Sequence, residues 1–312
     1  MHRIEVCRHP VGWLVVAAAL VALALPVGAQ EKQSAEQSPA VSGTEPANRS
    51  LIWTGTGERG LSQTFPEAGV WLELEEGERA LGLFYPETRL PARGAVVVLA
   101  DEGETAASGL AGPMAKALAE RGWAVLTLGL EAPSPALQRI LARPVVSAPG
   151  QEGNDVTPAE SVMIDVMESE NADDLEARYR NRISQALEAG LAELIDRGYE
   201  APVLLGIGRA SIHVTNRTLE GANVSALVWV APRFYTVDRV DLPERLASLG
   251  IGLMDLHPAG SESDDPGWSI GDKLLRAGVG GYQRQLIPWL SPPSVALGDV
   301  IASRVAAWLE SR

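Results

Sequence analysis

Short apolar runs recur along the chain and alternate with segments in which apolar residues have helical spacing. Gly94–Ala100 and Trp123–Leu128 are almost continuous apolar runs, which are typical of strands buried on both faces of a parallel sheet. Between them, Leu110–Arg121 has apolar residues at helical spacing and is followed by Gly122. This order predicts one strand–helix–strand unit.

The segment before this unit predicts an antiparallel hairpin. Val70–Leu74 and Arg79–Tyr85 have the composition of strands, and the residues between them include Gly77, which favours a turn. A hairpin therefore opens the predicted sheet.

The second half of the chain continues the alternation of strands and helices. Predicted strands lie at Pro202–Leu205, Val224–Val230, Ile251–Leu256 and Tyr282–Leu286. Predicted helices lie at Asp174–Arg197, from Arg209 onward, at Leu242–Leu249, at Asp272–Ala277 and at Val295–Ser311. The predicted fold class is therefore α/β, with a mostly parallel sheet, helices on both faces and right-handed crossovers.

One predicted connection, residues 131–174 after the second parallel strand, is far longer than the usual span of about 2–6 residues. Residues 151–176 contain nine acidic residues and no lysine or arginine. We expect this acidic insertion to be either a lid over a site or a solvated loop. Its carboxylates lack the spacing of a calcium-binding EF-hand loop, so calcium is not expected.

The first 50 residues lie outside this pattern. Residues 1–29 combine a basic start, an apolar run at Val11–Leu25 and small residues up to Ala29, and together these features predict a secretory signal peptide. The apolar run of about 15 residues is short for a membrane-spanning helix of about 20. Residues 30–50 are rich in Ser, Glu, Gln and Pro and predict a flexible leader. Residues 51–312 would then form a single α/β domain of an exported protein, either periplasmic or secreted.

Charge and cysteine content narrow the partners that we expect. The net charge is −14, and loss of the predicted signal peptide would make it −15. A protein this acidic is repelled by a phosphate backbone, so nucleic acid is not expected as a partner. The one cysteine, Cys7, lies within the predicted signal peptide, so the exported chain would have neither a disulfide nor a thiol nucleophile. We expect a small ligand or an envelope protein as the partner, and no stable membrane span after cleavage.

The order of these elements, together with four short motifs, resembles the α/β-hydrolase fold. The motifs, in chain order, are Arg93–Leu99 (RGAVVVL), Gly206–Gly208 (GIG) at a tight strand-to-helix turn, Met254–Leu256 (MDL) and Gly281–Leu286 (GYQRQL). More narrowly, the chain is similar to a family of exported bacterial α/β-hydrolase-like proteins of unknown function. The resemblance covers residues 71–312.

The resemblance implies a site at the strand-to-helix turn, which in active members of the fold has the pattern G-x-S-x-G and carries the nucleophilic serine. Here Gly208 stands at the nucleophile position and has no side chain with which to attack. Ser211 falls about one turn into the following helix, where its hydroxyl would point away from the turn. The turn therefore predicts a protein without the usual nucleophile.

Asp255, which we expect at the end of its strand, is the candidate acidic partner. The histidines left after removal of the predicted signal peptide are His213 and His257, and neither follows the last predicted strand, where the fold places its histidine. His257 lies two residues after Asp255, so both side chains would share one face of the strand. We expect His213 to be packed or solvated in the helix after the turn.

The turn formed by Gly206, Gly208 and Arg209 has a second possible role, which is to bind an anion. A strand-to-helix turn presents backbone N–H groups at the positive end of a helix, and we expect Asp101, after the first parallel strand, to lie near it. Small residues at the turn are equally consistent with close strand–helix packing. Neither a dinucleotide motif nor a metal-ligand spacing is complete, so no cofactor and no metal are expected.

Three functions stay open. The first is a catalytically degenerate envelope protein that binds a ligand or partner. The second is a hydrolase or esterase with a relocated constellation of Ser211, Asp255 and His257. The third is an assembly or scaffold factor that uses the acidic insertion as its contact surface.

Overall fold

The structure is a computed structural model that describes residues 57–143, 165–259, 266–287 and 295–312. The predicted signal peptide, the predicted leader and residues 144–164 of the predicted insertion lie outside the described residues. The described residues all belong to the unit Ile52–Arg312.

Eight strands form one sheet within the described residues. They are β1 (Gly69–Glu73), β2 (Arg79–Tyr85), β3 (Gly94–Glu102), β4 (Trp123–Leu130), β5 (Val203–Ile207), β6 (Ala226–Val230), β7 (Gly252–Pro258) and β8 (Tyr282–Ile287). Their spatial order is β1-β2-β4-β3-β5-β6-β7-β8. β2 pairs antiparallel with both β1 and β4, and the other neighbouring pairs are parallel. The predicted class, α/β with a mostly parallel sheet, is confirmed.

Helices cover both faces of this sheet. They are α1 (Glu58–Thr64), α2 (Ala111–Ala119), α3 (Pro135–Leu141), α4 (Asp165–Asp196), α5 (Ala210–Leu219), α6 (Leu242–Leu246), α7 (Pro266–Ala277) and α8 (Gly298–Glu310). None of these described helices combines the length and the apolar character needed to cross a membrane.

The alternation of side chains along each strand divides the core into two layers. In β3, Val97 and Leu99 pack in the layer that contains α3, α4, α5, α6 and α7. Val96 and Val98 point to the other face and pack with α2 and α8. Because β3 is buried on both faces, its sequence is a continuous apolar run rather than an alternating one.

Two helices begin earlier than the spacing of their apolar residues predicted. α4 begins at Asp165 rather than Asp174, and α7 begins at Pro266 rather than Asp272. Acidic residues stabilise the first turns of a helix through its dipole, and proline is favoured at the first helical position, but neither adds apolar periodicity. The acidic insertion predicted at 131–174 is therefore partly helix.

Two short helices were not predicted. α3 lies within the predicted insertion, where Pro135 is its first residue and the Ser134 side chain accepts a hydrogen bond from the backbone N–H of Leu137 at 3.3 Å. Helices as short as α1 and α3 contain too few residues to establish a period. The helix predicted at Val295–Ser311 is a 3₁₀ turn, Val295–Leu297, followed by α8.

The parallel strands all end at one edge of the sheet, so the loops that follow β3, β5, β6 and β7 meet there. Behind this edge, one buried hydrogen bond ties α5 to β6. The indole N–H of Trp229 donates to Oγ1 of Thr215 at 2.9 Å, and both side chains are fully buried. The turn formed by Gly206, Gly208 and Arg209 leads directly into α5, so this bond helps to fix the position of that turn.

We expect the substitution Thr215→Val to lower the free energy of unfolding by about 1–3 kcal/mol, because it leaves the buried indole N–H without an acceptor. Thr218→Val is the matched control, since the Thr218 hydroxyl donates only to the carbonyl of Val214 in its own helix. Urea denaturation measures both variants. Equal losses would show that the bond between Trp229 and Thr215 contributes nothing.

Candidate functional site

A tight turn joins β5 to α5 at the carboxyl edge of the sheet. Gly208 has a φ of +57°, a left-handed conformation that glycine adopts at little cost. Its N–H donates to the carbonyl of Val230 at 2.8 Å, and its carbonyl accepts from the N–H of Arg233 at 3.0 Å. A Cβ atom on Gly206 would come within 2.7 Å of the backbone of Ala210, so close strand–helix packing does require a small residue there.

The carboxylate of Asp101, the next-to-last residue of β3, lies directly above Gly208. A Cβ atom at position 208 would overlap it. Asp101 Oδ1 accepts hydrogen bonds from the backbone N–H groups of Arg209, at 2.9 Å, and Glu102, at 2.8 Å. Asp101 Oδ2 accepts a hydrogen bond from Nη2 of Arg233. The carboxylate is thus held by three donors from three segments of the chain.

Two of these donors correspond to the oxyanion hole of a hydrolase. In the α/β-hydrolase fold, that hole is formed by the N–H of the residue after the nucleophile and an N–H from the loop after the third strand. Arg209 and Glu102 occupy these two positions, and both N–H groups point at Asp101. The sequence predicted that this turn could bind an anion through its backbone N–H groups, but in the structure those of Gly208 and Arg209 already donate to Val230 and Asp101.

Ser211 is fully buried in the first turn of α5. Its hydroxyl donates to the carbonyl of Gly206 at 3.2 Å, so its one proton is directed back at β5. This geometry agrees with the expectation that the hydroxyl points away from the turn. A serine held in this way is neither exposed to a substrate nor bonded to a general base.

Asp255 and His257 lie together on one face of β7, as predicted, with His257 Nδ1 at 3.5 Å from Asp255 Oδ1. Asp255 was expected at the end of its strand, and this is wrong, since β7 continues to Pro258 and buries both side chains completely. Asp255 Oδ2 accepts from the hydroxyl of Tyr282 at 2.6 Å and from Nε of Arg284 at 3.3 Å. The carboxylate of Asp255 therefore stabilises the pairing of β7 with β8.

Aromatic and charged side chains surround the turn, and Tyr179 and Tyr235 among them were not singled out from the sequence. Tyr235 donates to Oε2 of Glu102 at 2.7 Å, and the guanidinium of Arg209 lies 4.7 Å from the centre of its ring. The rings of Tyr179 and Tyr235 contact the imidazole of His213 edge to face, at 5.7 and 6.0 Å. Burial, and next the positive charge of Arg180, lower the pKa of His213 to about 3. His213 is thus a neutral, packed residue at pH 7.

A cavity of about 710 Å³ adjoins the loop that follows β3. Its wall is mostly apolar and is formed by α1, β2, α4 and the ends of β3 and β4. The polar groups that line it include Glu58, Glu104, Tyr179 and Arg182. Burial, and next the charge of Asp101, raise the pKa of Glu104. The arrangement suits an amphipathic small molecule.

Within the described ranges, no three His, Cys, Asp or Glu side chains are grouped so as to hold a metal ion.

Residues 12–266 of the chain match the model of a family described as a protein of unknown function (DUF3530). The chain belongs to this family. No curated protein matches this DUF3530 chain.

Solved structures resemble the DUF3530 chain in fold. A dienelactone hydrolase from Anabaena variabilis is 15% identical, and the match covers 78% of this chain and 96% of that chain with a TM-score of 0.51. A solved esterase is 14% identical, and the match covers 80% of this chain and 84% of that chain with a TM-score of 0.52. These similarities show that the fold of this DUF3530 protein is α/β-hydrolase-like.

The turn can be tested by adding a methyl group. Gly278 is the matched control for Gly208, because its φ is +64° and a Cβ there would meet nothing within 4 Å. We expect Gly208→Ala to lower the free energy of unfolding by about 1–3 kcal/mol more than Gly278→Ala does, since only the first overlaps the Asp101 carboxylate. Urea denaturation measures both losses.

In an Asp101→Ala background the overlap is removed, so Gly208→Ala should then cost no more than Gly278→Ala. If the extra cost persisted in that background, Asp101 would not be the group that fills the space above Gly208.

The buried His213 predicts a change of stability with pH. Its pKa is about 3 in the folded protein and lies near 6.5 in an unfolded chain, so the unfolded state binds the proton more tightly. Above pH 6.5 the neutral His213 does not reduce the free energy of unfolding. Each pH unit of acidification from there towards pH 3 lowers that free energy by up to about 1.4 kcal/mol. We expect the variant His213→Phe to lose stability less steeply over this range in urea denaturation. Identical slopes in the variant and the wild type would contradict the buried, neutral imidazole.

Proposed function

We propose that this protein is an exported envelope protein that does not hydrolyse its ligand and acts by binding a small molecule or an envelope partner. The observation that carries the proposal is the Asp101 carboxylate above Gly208. The position of the nucleophile is a glycine, the space above it is filled, and the two N–H groups suited to an oxyanion already have an acceptor.

Each of these features takes away one requirement of ester hydrolysis at this turn. Without a side chain at position 208, no covalent acyl intermediate forms at the turn. One oxyanion-hole donor is worth about 3–4 kcal/mol of barrier in a hydrolase, and here a carboxylate rather than a substrate oxygen accepts from both. A negative carboxylate at this place also repels the negative charge that develops on a substrate carbonyl.

The 710 Å³ cavity is where we place the ligand. Gly103 and Glu104, which follow Asp101 and Glu102 directly, line this cavity, so a bound molecule would contact the segment next to Asp101. Its mostly apolar wall and few polar groups favour an amphipathic molecule over a polar metabolite.

The predicted signal peptide supports export, with the protein in the periplasm or secreted. A role as an assembly or scaffold factor would depend on the acidic insertion, whose residues 144–164 lie outside the described ones.

One observation favours hydrolysis as the second candidate. The contact between Asp255 and His257 resembles an acid–histidine pair, and Ser211 would be its nucleophile. Against this, Asp255 is bonded to Tyr282 and Arg284, and the Ser211 hydroxyl donates to a backbone carbonyl.

The chain from residue 30 onward should neither react with a fluorophosphonate probe nor hydrolyse p-nitrophenyl acetate above the rate of a Ser211→Ala variant. Labelling that disappears in Ser211→Ala would establish the relocated constellation instead.

Binding in the cavity is expected to enhance the fluorescence of the apolar dye N-phenyl-1-naphthylamine, in a saturable way. Ala186, which lines the cavity, and Ala177, which is exposed on the same helix, provide matched variants. Ala186→Trp should abolish the saturable signal because the indole fills the cavity, and Ala177→Trp should leave it unchanged. Equal binding by both variants would place the dye elsewhere and remove the support for this cavity.

A further inference from the structure

A second, smaller cavity of about 410 Å³ lies between α4 and α5. It shares none of its lining residues with the larger cavity, and polar or charged side chains line it throughout. These residues are Arg180, Asn181 and Ser184 on α4, with His213, Asn216, Arg217 and Glu220 on α5. A polar cavity of this size between two helices is distinct from the larger cavity and needs its own explanation.

The guanidinium of Arg217 has unused hydrogen-bonding capacity. Its side chain is 17% exposed, and its Nε atom is buried without a hydrogen-bond partner within the described residues. Its charged neighbours, Glu188 and Glu220, lie 3.5 Å away and are themselves largely exposed. Loose pairs with exposed carboxylates contribute little, whereas a buried donor without an acceptor is costly.

Arg180, the other arginine of the cavity, is different. Its guanidinium donates to Oε1 of Glu176 at 2.7 Å and to Oδ2 of Asp238 at 3.0 Å. These two carboxylates already balance its charge, so Arg180 shapes the cavity while Arg217 remains able to bind.

His213 provides the second unsatisfied group. It is 4% exposed, and its Nε2 atom is buried without a hydrogen-bond partner in the part of the chain that the structure describes. A neutral imidazole with its proton on Nε2 is a donor at that atom. Two neighbouring groups in one cavity, Arg217 and His213, therefore both offer N–H donors.

We propose that this cavity binds a small oxyanion, a carboxylate or a phosphate group, through the guanidinium of Arg217 with the imidazole of His213 beside it. The planar guanidinium fork matches the two oxygens of such a group and binds them with charge-assisted hydrogen bonds. The lining side chains include two guanidinium groups and one carboxylate. Because Glu176 and Asp238 already pair with Arg180, the group that we expect to hold the anion is Arg217, which has a buried Nε without a partner within the described residues. The site is independent of the proposed ligand in the larger cavity.

Isothermal titration of the chain from residue 30 onward, with inorganic phosphate in one series and sodium acetate in another, tests this site. Chloride at equal ionic strength is the reference. We expect saturable binding of at least one of the two anions, and the stronger of them identifies the oxyanion class. Saturable binding of neither anion would overturn the proposal.

Substitutions of Arg217 and of a control arginine test whether the anion binds in this cavity. Arg217→Gln should weaken it about ten- to a hundredfold, because charge-assisted hydrogen bonds are lost. Arg217→Lys should also weaken it, since the charge remains but the fork does not. Arg139→Gln, an exposed position on α3, should leave the affinity unchanged.

The variant His213→Phe distinguishes a loss of anion binding from a loss of folding stability. It should weaken the binding and leave the thermal melt at pH 7 unchanged or higher, because it removes a buried nitrogen that lacks a partner. Wild-type affinity in both Arg217→Gln and Arg217→Lys would show that the anion binds elsewhere.

Discussion

The carboxylate of Asp101 joins three parts of the chain where the loops of the sheet meet. It accepts from the backbone of β3 at Glu102, from the start of α5 at Arg209 and from the side chain of Arg233 after β6. It can do so only because residue 208 is a glycine in a left-handed turn. A side chain at that position would occupy the space that the Asp101 carboxylate takes. The glycine and the carboxylate therefore depend on each other, and the geometry of the whole edge depends on both.

This dependence is the physical basis of our proposal that a chain with an α/β-hydrolase-like fold binds its ligand without hydrolysing it. Because β3 and β5 are neighbours in the sheet, the N–H groups of Glu102 and Arg209 come together at the turn. The group that these two N–H groups bind is an internal carboxylate, that of Asp101. Fold alone does not decide function, and the contents of the site do.

Local patterns were sufficient to predict the strands, their burial and the place of Gly208 at the turn. The continuous apolar run of β3 indicated a strand buried on both faces, and Gly208 was recognisable at the turn from its neighbours. The contacts that define the site were not predictable, because Asp101 meets Arg209 and Arg233 across 108 and 132 positions of sequence. The predicted start of α4 was too late, because its first turns, from Asp165, are mostly polar. The spacing of apolar residues gives no signal for helical turns of this kind.

The most direct test of the account is the position of two backbone amide protons in the nuclear magnetic resonance spectrum of the isotope-labelled protein. If Asp101 holds the N–H groups of Glu102 and Arg209, both resonances lie downfield and exchange slowly with solvent in the wild type. Both then move upfield in Asp101→Ala, while the amide proton of Gly208, which is bonded to Val230, changes less. Amide protons of Glu102 and Arg209 that exchange freely in the wild type, or that are unmoved by Asp101→Ala, would contradict the account.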